Sequence, residues 1–141
     1  MAHQRSGGEW PYSVKSQIVD NAHTAYTLEG LWKAYPLLTV KQRQCLFKGI
    51  HFYKNKLFAQ DGRAKQRTLF TVQDMRRIPL KRWFADQLAR LGLLPHRVAE
   101  APLWSYGAAL RVFAAAGKME AGFLAQAEHI FNYAEQNLRL S

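Results

Sequence analysis

Five histidines (His3, His23, His51, His96 and His129), ten carboxylates and one cysteine are the side chains here that could move protons, hold a metal or attack an electrophile. Their spacing argues against all three. No HExxH occurs, and no histidine pair sits at metal-ligand spacing with a third ligand close by. Asp20 and His23 fall at i, i+3, which on a helix makes a surface pair. Glu128 and His129 are sequence neighbours and point in different directions on a helix. GxSxG, the P-loop and GxGxxG are all missing. Cys45 has the cations Lys41 and Arg43 nearby, which favour a thiolate, but no evident base. The expectation is a protein without catalysis, without a bound metal and without a cofactor.

A second chemistry is better represented, that of cations mixed with rings. The stretch "FKGIHFYKNKLF", 47–58, sets Lys48 and Lys56 beside Phe52. "RAKQR", 63–67, adds Arg63, Lys65 and Arg67, and "RRIPLKRW", 76–83, adds Arg76, Arg77, Lys81 and Arg82. Residues 41–97 hold 14 Lys/Arg against three acids, a net of +11, whereas the whole chain carries +10. Such a segment is drawn to phosphate, acidic lipid headgroups or an acidic protein. Cations around the helix start at Pro79 oppose that helix's own dipole, a conflict that a bound anion would relieve. None of these clusters forms an RNP sequence, a zinc finger or a clear helix-turn-helix. They predict contact with an anionic partner and no reading of base sequence. Trp10, Tyr12 and Phe52 are the expected partner contacts.

Helices must position these groups. Apolar spacing predicts a first helix over about 14–35, with Val14, Ile18, Ala22, Ala25 and Trp32 near one face and Pro36 ending it. "TVKQ", 39–42, is a capping box that opens a second helix over about 40–60, with Gly62 as a left-handed stop. On its wheel Leu46, Ile50, Tyr53 and Leu57 form a core face flanked by Phe47 and Phe58. Phe52 projects on the opposite side, and Lys54 falls inside the apolar arc, where it must snorkel or find an acid. "TVQD", 71–74, is a second capping box. A third helix from Pro79 carries Leu80, Phe84, Leu88 and Leu91. A fourth from Pro102 carries Leu103, Tyr106, Leu110 and Phe113. The fifth, 119–138, carries Met119, Phe123, Ala127, Ile130 and Ala134. Gly107 and alanines 108, 109 and 114–116 permit close helix approach in the fourth. Only "RTLFTV", 67–72, could pair as an edge strand.

The fold class expected is all-α: about five helices, as a loose bundle or laid across a partner. Its organisation is an N-terminal arm, 1–12, and a single helical domain, 13–141. With 48% hydrophobic residues the chain is too apolar for a disordered tail. No run of 18 apolar residues exists, so no conventional transmembrane span is expected. Residues 1–12 lack the apolar stretch of a secretory signal. One cysteine excludes an internal disulfide and fits an intracellular, reducing compartment.

Two functions compete. One is a non-catalytic accessory subunit of a large multi-subunit assembly, for which an organellar respiratory-chain or ATP-synthase complex and a mitochondrial location serve as the example. Its partners are other protein subunits. The other is a nucleic-acid-binding protein, ribosomal ones included, that grips the RNA or DNA backbone.

Overall fold

The computed structural model describes residues 3–11, 19–66, 83–84, 87–88, 91, 97–98 and 103–138. The protein is all-α. Four α-helices carry the fold among these residues: α1 (Asn21–Lys33), α2 (Val40–Leu57), α3 (Leu103–Gly117) and α4 (Ala121–Asn137). A 3-10 turn, Tyr35–Leu37, joins the first two. Residues 83–84 and 87–88 are also helical, within the third helix predicted from sequence. A two-residue antiparallel ladder pairs β1 (Lys65–Gln66) with β2 (Arg97–Val98). The "RTLFTV" edge and the "TVQD" capping box lie outside the described residues.

Local signals set the helix ends. Asp20 is the N-cap of α1, its carboxylate accepting from the His23 backbone N–H at 2.8 Å. Val19 and Asp20 are not helical, so α1 begins at Asn21; the predicted start at Val14 and Ile18 lies outside the described residues. At the start of α2 the capping box is complete: the Gln42 N–H donates to Thr39 Oγ1 at 3.4 Å, and the Thr39 N–H donates to Gln42 Oε1 at 2.9 Å. That helix stops at Leu57, not near residue 60, because Phe58 is extended and bridges to Ala64. Gly62, expected as a helix stop, instead sits in the tight turn between them with a φ of 87°. A Cβ there would collide with the His129 carbonyl, so this turn lies flush against α4.

Packing runs from α3 to α4, from α1 to α3 and from α1 to α2. The predicted face of α2 is the core face: Leu46, Ile50, Tyr53 and Leu57 are fully buried, with Phe58 nearly so. Tyr53 stacks on Phe113 of α3 at 5.3 Å, and Phe58 meets both rings edge-on. Ala108, Ala109 and Ala116 let α3 approach its neighbours closely and are all buried. Phe123, Ala127 and Ile130 supply the buried stripe of α4. Leu103 and Met119 leave their predicted stripes and are exposed; Met119 precedes the first residue of α4. Phe84 and Leu91 are likewise exposed, so their spacing does not mark a buried face.

One polar chain crosses this core. The Tyr53 hydroxyl donates to Asn21 Oδ1 at 2.9 Å, and Asn21 Nδ2 donates to the Leu57 carbonyl at 2.9 Å. Burial holds the Tyr53 phenol well above its ordinary range, aided by the charge of Asp20. Neither member has an exposed edge for chemistry: the motif ties the start of α1 to the end of α2.

Candidate partner interface

The N-terminal arm and α2 must be taken together. Gln4 Nε2 donates to the Cys45 carbonyl and to the Gly8 carbonyl, both at 2.8 Å. Trp10 lies on Gly49, where a Cβ would overlap its six-membered ring. This chain therefore holds its own arm, with glycine at 49 providing the floor. Phe52, one turn beyond Gly49, is half-buried against the core cluster. The arm crosses α2 along Cys45, Lys48 and Gly49, and Phe52 itself packs inward against the core cluster. Trp10 is half-buried there as well, and Tyr12 lies outside the described residues.

The remaining anomalies of α2 resolve internally. Lys54 Nζ reaches the Gly122 carbonyl at 2.8 Å and stands 5.7 Å from the Phe123 ring centre. His51 pairs with Glu120 at 3.4 Å and tilts against Phe123. His23 Nδ1 is 2.8 Å from Asp20 Oδ2, a surface pair on a capped helix. Among the described residues, no three His, Cys, Asp or Glu side chains could hold a metal.

Four of the predicted cations fall on described residues. Lys48 and Lys56 are exposed on α2, eight residues and so roughly 12 Å apart. Arg63 is exposed in the turn and paired with Asp61 at 2.7 Å. Lys65 is half-buried on β1. Arg67, Arg76, Arg77, Lys81 and Arg82 lie outside the described residues. An open depression of about 670 Å³ lies between the turn and α4, lined by Gln60, Arg63, His129, Asn132, Tyr133 and Gln136 among others. Its amides can donate and accept, and its one Arg is already engaged.

A surface not marked by sequence periodicity lies between α1 and α3. Tyr26 and Trp104 stack with centres 5.3 Å apart and planes within 10°, yet they are 51% and 50% exposed. Leu103, the first residue of α3, is 53% exposed. One end of this strip is polar: Arg111 donates from Nε and Nη2 to the two oxygens of Glu29, both at 3.0 Å. Lys33 reaches Glu29 from the next turn at 3.0 Å. The Arg111 bond chiefly, then Lys33, holds the Glu29 carboxyl down at about 2. Periodicity could not find Tyr26 or Trp104, because each needs the other helix to become half of a stack.

No protein-family model matches this chain, and no curated protein or solved structure does either. Among the described residues, no helix is long and apolar enough to cross a membrane.

Proposed function

We propose that this protein is a non-catalytic accessory subunit that docks on other protein subunits within an intracellular assembly. The observation that carries this is the exposed Tyr26–Trp104 stack. Large rings bring much apolar area at little entropic cost, and Trp and Tyr dominate the hot spots of protein interfaces. Fully burying an exposed side chain of this kind is worth roughly 1.5–3 kcal/mol, and each of these half-exposed rings has about half of that left to gain on a partner. Next to the stack stands a bidentate Arg–Glu pair suited to an interface rim.

Size fractionation of extracts from the native cells tests this reading. The chain is expected to travel in a complex well above its own mass, before and after nuclease treatment. Trp104→Ala should move it to the free fraction while the chain stays folded, its melting temperature lowered by only about 2–8 °C for the lost stack on Tyr26.

A nucleic-acid-binding role is the second reading, supported by the net +11 over 41–97 and by exposed Lys48 and Lys56. It expects retention on RNA or DNA to fall steeply between low and physiological salt. An Arg76/Arg77/Lys81/Arg82 alanine variant should weaken that dependence, and nuclease should release the chain.

A further inference from the structure

Two glycines stand on the α1–α3 seam with no steric duty inside the protein. A Cβ on Gly30 would meet nothing within 4 Å, and one on Gly107 only Arg111 Nη1, at 3.8 Å. Neither adopts a positive φ. Glycine is the poorest helix former after proline, so the fold alone would favour alanine at both. Their placement is specific. Tyr26, Glu29, Gly30 and Lys33 share one face of α1, and Trp104, Gly107 and Arg111 share one face of α3. Because Tyr26 stacks on Trp104 and Glu29 bonds Arg111, those two faces meet along the seam. The glycines flank it, with the aromatic stack and the ion pair also on these faces.

We infer that this seam is a seat for one α-helix of an acidic protein partner, an inference that rests on reading the chain as an assembly subunit. Bare backbone at Gly30 and Gly107 allows the incoming helix axis to come close, as small residues do at tight helix crossings. The half-exposed rings of Tyr26 and Trp104 pack against its apolar side. Its acidity follows from charge. Lys33 and Arg111 share the single carboxylate of Glu29, which leaves the rim one positive charge in excess. Arg111 Nη1, the guanidinium nitrogen that does not bond Glu29, leans over Gly107, where a partner carboxylate would arrive. A second copy of this chain would bring another +10 and be repelled.

The test uses the full chain in its native cells. The pair Gly30→Leu and Gly107→Leu fills the open floor, and the new Cβ atoms clash with nothing inside the protein. Its melting temperature should equal or exceed the wild type's, by about 2–4 °C, while its share in the assembly falls at least tenfold. A benzophenone amino acid at position 30 should cross-link to a helical segment of another protein that carries two or more Asp or Glu. The inference is overturned if the leucine pair enters the assembly like wild type. It is equally overturned if the cross-link maps to a second copy, to nucleic acid or to a segment without acids. Wild type that runs free in extracts instead refutes the subunit reading itself, and the seat with it.

Discussion

Tyr53 shows what a single polar contact does in an otherwise apolar core. Its hydroxyl is the donor that satisfies Asn21 Oδ1, itself fully buried. Tyr53→Phe keeps the ring and its stacking on Phe113 but leaves that oxygen without a partner. The expected loss is about 1–3 kcal/mol, read as a lower urea midpoint at unchanged slope. Adding Asn21→Ala should cost less than the sum of the two single changes, since the stranded oxygen goes with it. The ring half of this residue was legible in the sequence, because Leu46, Ile50, Tyr53 and Leu57 repeat on one face. Its hydrogen bond was not, since Asn21 lies 32 residues away and only the crossing of α1 over α2 brings it near.

Elements obey local signals at their ends and distant contacts along their faces. The Thr39–Gln42 box was readable because both its halves lie within four residues. Gly62 was readable as a left-handed position, but its role was not: it closes the turn from Phe58 to Ala64 and lies against the α4 backbone. Gly62→Ala combines an unfavourable φ with a collision at the His129 carbonyl and should cost about 2 kcal/mol or more by thermal or urea unfolding. Gly62→Asn tolerates the φ better but keeps the collision, so it should not restore stability. Leu103 and Met119 went astray for a related reason. Period 3.6 identifies a face, whereas the end of a stripe stays buried only if another element extends that far. Phe52 differs again: a wheel shows which side a ring takes and cannot show that the ring leans back against the core cluster.

At the scale of the whole molecule, charge governs behaviour in acid. Free in an unfolded chain, the Glu29 carboxyl takes up its proton near 4.5; folded, between Arg111 and Lys33, it does so only near 2. The folded state gains the full benefit above pH 4.5 and loses it as pH falls from about 4.5 to 2. Melting temperature should therefore drop through that window, and Glu29→Gln should flatten the drop. Added salt should shrink the difference, because both cations are largely exposed. The net +10 was plain from composition and predicts an anionic environment, but composition cannot say where the cations stand. Nor can it say that Tyr26 and Trp104, on separate helices, come together as a surface.

The clasp of the arm on α2 also supplies a clock. Arg5 lies in a small loop closed on itself, its N–H bonded to the Glu9 carbonyl and its own carbonyl bonded by the Gly8 N–H. A trypsin molecule cannot thread that loop until Gln4 and Trp10 let go. The lifetime of the Arg5–Ser6 bond under digestion thus reports the fraction of time the strap is lifted, and at protease levels high enough to outpace reclosing, how often it lifts.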